Sequence, residues 1–196
     1  MDDIFVGPPI DDWDILTRLP SALAEALRMK NGFVSEDSVL HVRGACNGPE
    51  WHSLRYAWDG PHSLHELFPS VQPTDIPIAE DCFGDQYLLR DHLVVHLSGE
   101  SGEMKVLRMG WEEFIAHAKK SPVDFLGAQE LQRFHREGGT LLPGQSLSVY
   151  PPFVAKSETP RSLRAVSSSE RILWLADFAR QIRSIPDGGQ IKIRVV

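Results

Sequence analysis

Three carboxylates lie close together in the chain, with Glu80 and Asp81 before Gly84 and Asp85 directly after it. Paired carboxylates of this kind suit acid–base catalysis or the binding of a divalent cation. The same arrangement is common in purely structural turns, because aspartate bonds nearby backbone amides and glycine tolerates a positive φ. We expect a structural or binding role ahead of a catalytic one.

Other signatures of chemistry are sparse. The eight histidines are scattered, and His62 and His65 form an HxxH next to Glu66 without a third ligand at a characteristic spacing. Cys46 and Cys82 are the only cysteines and belong to no zinc or disulfide pattern. The chain contains no GxSxG, HExxH, P-loop or GxGxxG motif. The sequence therefore predicts no catalytic residue, no metal site and no cofactor.

Trp51, Tyr56 and Trp58 form a second candidate site. Exposed together, they would provide an aromatic contact surface of the kind that dominates protein interfaces. The spacing of the two tryptophans also fits a short helix, on which they would be half-buried core residues. The sequence leaves both interpretations open.

The charge is unevenly distributed along the chain. The net charge is −7, with 17 acidic and 6 basic residues in 1–100 but 3 acidic and 7 basic residues in 161–196. The acidic first hundred residues argue against nucleic acid as a partner, because phosphate contacts need a basic surface. They are compatible with steering toward a basic protein, although solubility alone also explains them.

The length and the apolar runs bound the class of protein. A chain of 196 residues suits one domain, or a core with an appended subdomain. It begins with Met-Asp-Asp, which is acidic where a signal peptide is basic. Its longest unbroken apolar run, 172–176, has five residues and is too short to span a bilayer. We expect a cytoplasmic protein without a membrane partner, and the oligomeric state stays open.

The candidate carboxylates require a sheet to position them. Residues 76–80 and 86–90 are apolar-rich runs on either side of the acidic residues, which predicts two strands joined by a turn. Further strands are predicted at 93–97 and 104–108, after short polar turns. Such turns leave no room for crossover helices, so the strands predict an antiparallel meander.

Helical patterns flank these strands. They lie at 19–32, 51–58, 63–68, 111–120, 121–138 and 167–184. Ser167 and Glu170 match a capping box at the start of the last helix. Residues 146–150 predict a strand and 156–166 a loop, and the strict alternation of 190–196 predicts a half-buried strand.

Several of these motifs resemble the SMI1/KNR4 family, also called the SUKH superfamily. The most specific is Ile76-Pro-Ile-Ala-Glu-Asp-Cys-Phe-Gly-Asp-Gln-Tyr87, which is similar to the family pattern Ile-Pro-Phe-Ala-x-Asp-x-x-Gly-Asp-x-Tyr. The helix from Leu19-Pro20 to Asn31-Gly32, the strand at 39–44 and the helix start Trp111-Glu-Glu-Phe114 occur in the family's order. The resemblance extends over residues 15–120.

The resemblance implies an α+β fold, in which an antiparallel β-sheet meander packs against helices. It places an SMI1/KNR4-like core at residues 1–120. Residues 121–196 are then a C-terminal extension of helix and strand, packed on the core in a single compact unit. The segment 45–61, which contains two tryptophans, also departs from the family pattern.

The resemblance further implies a non-enzymatic protein-binding module. Bacterial members are commonly immunity proteins that neutralise a cognate toxin, and fungal relatives act in the regulation of cell-wall synthesis and in signalling. We therefore expect a protein partner, specifically a basic toxin domain, bound through Glu80, Asp81, Asp85, Trp51 and Trp58. The alternatives are a regulatory or scaffold protein, and an enzyme that uses the acidic turn on a small ligand or a metal.

Overall fold

The fold is α+β and is built on a seven-stranded antiparallel sheet. The computed structural model describes residues 3–186 and 188–189 of the chain. The strands are β1 (Phe5–Val6), β2 (Phe33–Val34), β3 (Leu40–Val42), β4 (Ile76–Asp81), β5 (Gln86–Arg90), β6 (Leu93–Leu97) and β7 (Met104–Val106). Their order in the sheet is their order in the chain. The antiparallel meander predicted from the short turns is thereby confirmed.

A second, two-stranded antiparallel sheet and eight helices complete the described part of the chain. The two strands are β8 (Gln145–Tyr150) and β9 (Ser162–Ser167). The helices are α1 (Trp13–Thr17), α2 (Ser21–Met29), α3 (Leu54–Asp59), α4 (Leu64–Leu67), α5 (Trp111–Lys120), α6 (Pro122–Phe125), α7 (Gln129–Arg136) and α8 (Ser168–Ile182). None of these described helices is both long and apolar enough to cross a membrane.

Strand β5 lies in the middle of the large sheet and is buried on both faces. Tyr87 and Leu89 belong to the main hydrophobic core, which also contains apolar side chains of α2 and α5. Leu88 points to the opposite face, as alternation along a strand requires, and packs with Leu175 of α8. Because helices cover both faces, almost every residue of β4 and β5 is buried.

A β-bulge interrupts the pairing of β4 with β5. The register shifts between Pro77 and Ala79, so that Ile78 has no partner on β5. An extra residue of this kind reverses the alternation of side chains beyond it. Ile78 and Ala79 consequently both contribute to the main core, whereas Glu80 points to the face that α8 covers.

Residues on both sides of residue 120 contribute to the main core. Phe114 of α5, Leu131 of α7 and Leu147 of β8 all belong to it and are buried. The N–H of Leu147 also donates a hydrogen bond to the carbonyl of Cys82, at the end of β4. The domain boundary at residue 120 stays a prediction, but side chains from its two sides share one core.

The loop predicted at 156–166 is wrong over its second half, where β9 lies. Strand β9 pairs with β8 along all six of its residues. Its side chains alternate, with Leu163 and Ala165 half-buried and Ser162 and Arg164 exposed. This period of two is the pattern of a strand with one face on the core.

The helix predicted at 51–58 begins later than expected. Ser53 occupies the N-cap position of α3, and its side chain accepts a hydrogen bond from a backbone N–H of the first turn. The helix therefore starts at Leu54, and Trp51 lies in the turn that precedes it. This placement separates the environments of the two tryptophans.

The other corrections concern the C-terminal third. The helix predicted at 121–138 is divided into α6 and α7 near Gly127, whose φ is +69°. The capping box is wrong in one detail, because the side chain of Ser167 makes no capping hydrogen bond within the described residues. The strand predicted at 190–196 lies outside the described residues.

Candidate functional site

The turn between β4 and β5, here called the acidic turn, runs from Asp81 to Asp85. Its backbone is held by one carboxylate oxygen, because Oδ1 of Asp81 accepts hydrogen bonds from the N–H groups of Phe83, Gly84 and Asp85 at 2.9, 3.1 and 3.1 Å. Gly84 has a φ of +96°, and a Cβ there would lie 2.7 Å from the side chain of Leu175. The turn therefore needs an acceptor at position 81 and a glycine at position 84.

Asp85 connects the acidic turn to β6 and to the turn that follows β6. Its Oδ1 accepts a hydrogen bond from the N–H of Gly99 at 2.8 Å. Its Oδ2 lies 2.8 Å from Nε2 of His96. Asp85 is partly exposed, whereas Asp81 is buried, so Asp85 is the carboxylate of this turn that a binding partner can reach.

The carboxyl group of Asp81 is buried and bonded to the backbone of the acidic turn. Burial raises its pKa well above the ordinary value, and the neighbouring charge of Asp85 raises the pKa further. Burial, together with the same two carboxylates, also raises the pKa of Tyr87. Because one oxygen of Asp81 already accepts three backbone hydrogen bonds, this carboxyl group holds the turn closed.

A cavity of about 290 Å³, here called the turn cavity, opens beside the acidic turn. Its polar lining includes Asp81, Asp85, Glu100 from the β6–β7 turn and Arg171 from α8. Its apolar lining includes Phe83, Leu126, Phe153 and Val154. Of this apolar wall, Phe153 and Val154 are 41% and 46% exposed. The turn cavity therefore combines carboxylates with an apolar wall that reaches the surface.

Two charged side chains of the turn cavity are deeply buried, Glu100 at 4% exposure and Arg171 at 3%. Oε2 of Glu100 accepts a hydrogen bond from the N–H of Val154 at 3.0 Å, and Nε of Arg171 donates to the carbonyl of Phe83 at 3.1 Å. Oε1 of Glu100 and Nη2 of Arg171 lie 3.9 Å apart, too far for a hydrogen bond. Neither atom has a hydrogen-bond partner among the described residues. Burial raises the pKa of Glu100 and lowers that of Arg171.

Sequence reasoning missed Glu100 and Arg171. Glu100 lies in a short polar turn, where a glutamate is normally solvated. Arg171 lies four residues before Leu175 and eight before Ala179, so these three share one face of α8, and all three are buried. The spacing of Arg171 from Leu175 and Ala179 was the signal that could have identified Arg171 as buried. No sequence pattern indicates that Glu100 lies beside Arg171, because only the fold brings the two together.

Glu80, which points to the face of the sheet that α8 covers, belongs to a buried network with His41, Arg43 and Gln86. Its Oε1 is 2.9 Å from Nδ1 of His41. Its Oε2 accepts hydrogen bonds from Nη2 of Arg43 at 2.8 Å and from Nε2 of Gln86 at 3.1 Å. Arg43 also donates to Oε1 of Gln86 at 2.7 Å and to the carbonyl of Pro77 at 3.2 Å. Both charges are thus paired and hydrogen-bonded, as burial requires.

The buried network continues from His41 to His52. Nε2 of His41 lies 2.9 Å from Nδ1 of His52, and Nε2 of His52 donates a hydrogen bond to the carbonyl of Asn31 at 3.0 Å. Because a carbonyl can only accept, this bond requires a proton on Nε2 of His52. The network therefore connects the end of α2 to the centre of the sheet.

Three glycines make room for His52. A Cβ placed on Gly7, Gly32 or Gly44 would lie 2.4, 2.6 or 2.6 Å from an atom of its ring. The same Cβ atoms would also lie 1.8, 2.5 and 2.5 Å from a backbone oxygen, so the backbone and the imidazole together restrict these positions to glycine. Three chain segments thus approach this one ring.

The buried network shifts the acidities of its members. Burial first, and then the neighbouring His41, lower the pKa of His52 to about 4. Burial also lowers the pKa of His41, although Glu80 opposes this. Burial raises the pKa of Glu80, but the charge of Arg43 and the contact with His41 outweigh it and bring that pKa to about 2.

For the buried network, these shifts predict that acid removes stability, starting below pH 6.5, whereas the raised pKa values of Asp81 and Glu100 act in the opposite direction. The pKa of His52 is about 4 when folded and 6.5 when unfolded, so its contribution to stability is complete above pH 6.5 and is lost as the pH falls through 4. The pKa of Glu80 is about 2 when folded and 4.5 when unfolded, so its contribution is lost between those values. Thermal unfolding of the native chain and of His52→Gln at constant ionic strength gives the contribution of His52 as the difference between the two profiles.

The exposed His117 lies outside the buried network, so His117→Gln, which leaves the contacts of the network in place, is the control variant. A difference between the native chain and His52→Gln that instead decreased as the pH rose above 6.5 would contradict the prediction. It would mean that the His52–His41–Glu80 chain binds an additional proton in the folded state.

The two candidate tryptophans lie in different environments. Trp58 is buried in the main core, its Nε1 donates to a backbone carbonyl at 2.9 Å, and Arg18 lies 4.1 Å from its ring centroid. Trp51 is half-buried and packs against Phe5 and His41, with ring centroids 5.0 Å apart in both pairs. The two indoles therefore do not form one aromatic contact surface.

Burial divides the five residues predicted to bind a partner. Glu80, Asp81 and Trp58 are buried and bonded inside the protein, which favours a structural role for each, and their binding role stays a prediction. Asp85 and Trp51 are partly exposed, and for these two the binding role also stays a prediction. The turn cavity, which Asp81 and Asp85 help to line, is therefore the candidate site.

Metal and thiol chemistry find little support in the geometry. Among the described residues, no group of three or more histidine, cysteine, aspartate or glutamate side chains is arranged to hold a metal ion. Both cysteines are buried. Burial raises the pKa of Cys46 to about 11 and that of Cys82 well above its ordinary value, which keeps both thiols protonated.

Comparison with known proteins gives a likeness of fold. No protein-family model matches the chain, and no curated protein matches it either. The crystal structure of Atu4351 from Agrobacterium tumefaciens is similar, with a TM-score of 0.55 and 14% sequence identity over 88% of this chain and 81% of that one. At this identity the likeness supports the α+β architecture alone.

Proposed function

We propose that this chain is a non-enzymatic protein-binding module, specifically an immunity protein that binds and neutralises a basic toxin domain in the cytoplasm. The observation that carries the proposal is the turn cavity, which places Asp85 and Glu100 beside the partly exposed Phe153 and Val154. Aromatic anchors next to charged groups are the usual centres of binding energy in protein interfaces. The motif at 76–87 that resembles the SUKH superfamily supports the immunity role.

The charge distribution supports the choice of a basic partner. The first hundred residues, which supply Asp85 and Glu100, hold 17 acidic and 6 basic residues. Complementary charge speeds the encounter of two proteins and rejects partners of the same sign. An immunity protein benefits from a fast encounter, because it has to occupy the toxin before the toxin acts.

The proposal is tested by examining the genes beside the one for this chain and expressing any toxin domain that they encode. Co-expression of that domain with the chain should restore growth that the domain alone abolishes. The purified pair should form a complex whose association rate falls as salt is added. Absence of both the rescue and the complex would refute the immunity role. A neighbourhood without any toxin gene would favour the regulatory alternative.

Phe153→Ala tests whether the turn cavity is the contact surface. Phe153 packs edge-on against Phe83 with ring centroids 5.1 Å apart and is partly exposed, so we expect a loss of unfolding free energy below about 1 kcal/mol. We expect the dissociation constant of the complex to rise about tenfold or more, as for an interface anchor. Calorimetric titration of the toxin domain measures the effect.

Trp13 provides the matched control. It is 60% exposed on α1 and does not line the turn cavity, so Trp13→Ala should leave the affinity unchanged. If Trp13→Ala weakened the complex and Phe153→Ala did not, the partner would bind at α1 instead of the turn cavity.

A further inference from the structure

Three carboxyl groups line the turn cavity around the buried Arg171. Asp85 and Glu100 face it together with Asp81, and Arg171 is the positively charged residue of its lining. Asp85 is the exposed member of this group, so the acidic character extends toward the surface. Carboxylates that crowd one site are stabilised by an added cation, since each repels the others.

Arg171 does not satisfy the carboxylate nearest to it. Its Nε donates to the carbonyl of Phe83 at 3.1 Å, and its guanidinium carbon lies 5.0 Å from the ring centroid of Trp174. These contacts hold Nη2 at 3.9 Å from Oε1 of Glu100, so that buried oxygen lacks a hydrogen-bond donor among the described residues. A buried acceptor without a donor costs free energy that a ligand with N–H groups would recover.

The apolar wall defines the rest of the ligand. Phe83, Leu126, Phe153 and Val154 line the cavity together with the charged groups. Such a wall suits a chain of methylene groups, which lies along apolar surface while its charged head reaches polar partners. The volume of about 290 Å³ lies at the lower limit of small-molecule pockets and suits a single side chain rather than a cofactor.

We propose that the turn cavity receives an arginine or lysine side chain of the protein partner, with its methylene stem on the apolar wall and its cationic head donating to Glu100 and Asp85. This inference rests on the proposed function, because it specifies the contact through which the partner is held. One basic side chain of the partner enters the cavity, and the rest of the interface surrounds the opening of the cavity.

The test uses the full isotope-labelled chain and amino-acid amides as probes. N-acetyl-L-arginine amide and N-acetyl-L-lysine amide should shift the side-chain carboxyl resonances of Glu100 and Asp85, with dissociation constants of about 1–10 mM, as expected for so small a ligand. N-acetyl-L-citrulline amide, which has the same length without the charge, should bind at least about tenfold more weakly. Equal binding of the citrulline probe, or no shift with any probe, would overturn the inference.

Glu100→Gln should weaken binding of the arginine probe at least about tenfold. Glu103→Gln is the matched control, because Glu103 is exposed and does not line the turn cavity. A proton–nitrogen correlation spectrum shows whether each variant is folded. If Glu100→Gln does not fold, Asp85→Asn replaces it and should weaken the probe in the same direction, whereas unchanged binding would refute the proposal.

Two further outcomes separate this inference from the proposed function. If the toxin domain binds Glu100→Gln as tightly as the native chain, the basic side chain does not enter the cavity, but the immunity role stands. If spermidine binds the cavity while the arginine and lysine probes do not, the ligand is a free polyamine and the inference fails. Loss of growth rescue with intact probe binding would instead refute the proposed function.

Discussion

Arg43→Met is expected to lower the free energy of unfolding by about 3–5 kcal/mol, the cost of removing one partner of a buried ion pair. Arg43 donates to the carboxylate of Glu80, to the side chain of Gln86 and to the carbonyl of Pro77, at 2.8, 2.7 and 3.2 Å. Methionine fills a similar volume but donates no hydrogen bond. The charge of Glu80 would then be buried without its counter-ion. Urea denaturation measures the loss.

The control for this change is the exposed Arg28, for which Arg28→Met should alter stability by no more than about 0.5 kcal/mol. The double variant Arg43→Met/Glu80→Met should recover part of the loss, because it removes both charges together. A loss below about 1 kcal/mol for Arg43→Met alone would mean that Glu80 binds a proton in place of the guanidinium.

Asp81→Ala is expected to lower the free energy of unfolding by about 3 kcal/mol, because it leaves backbone N–H groups of the acidic turn without an acceptor. Oδ1 of Asp81 accepts from Phe83, Gly84 and Asp85, and the first two of these bonds are buried. Asp81→Asn keeps an oxygen in the same place and should cost about 1 kcal/mol. Thermal and urea unfolding of the two variants give the comparison.

The contrast between alanine and asparagine identifies the role of Asp81. If the two variants were equally unstable, the negative charge rather than the acceptor oxygen would hold the turn. The exposed Asp91 provides a matched position, since it also lies in a turn between two strands. Asp91 has a φ of +47°, which asparagine tolerates as aspartate does, so Asp91→Asn should change stability by no more than about 0.5 kcal/mol.

Local patterns of the sequence predict the central strands well. Residues 76–80 and 86–90 are strands β4 and β5, because apolar runs bounded by a glycine-containing turn have few other solutions. The β-bulge at Ile78 could not be predicted in this way, since no residue pattern around Ile78 indicates a shift of register. Simple alternation from Ile76 would place Glu80 toward the main core, yet the bulge turns it to the face that α8 covers.

The candidate site was harder to predict than the strands. Glu80 and Asp81 are neighbours in the chain, but their side chains point to opposite faces of the sheet. Glu80 belongs to the buried network with Arg43, whereas Asp81 belongs to the acidic turn. Conversely, Glu100 and Arg171 are distant in the chain and meet at the turn cavity. Alternation in 162–167 is visible in the sequence, but the polar and proline-rich residues before it favoured a loop. Contacts of long sequence separation therefore account for most of what the sequence did not predict.

The packing of three glycines around His52 has a consequence for the evolution of this chain. Gly7, Gly32 and Gly44 lie on separate segments, and a Cβ on each would meet a backbone oxygen, at 1.8, 2.5 and 2.5 Å, as well as the imidazole ring. A smaller residue at position 52 would remove the contact with the ring but would leave those backbone oxygens in place. We therefore expect all three glycines to be retained among homologues, including those in which the histidine has been lost.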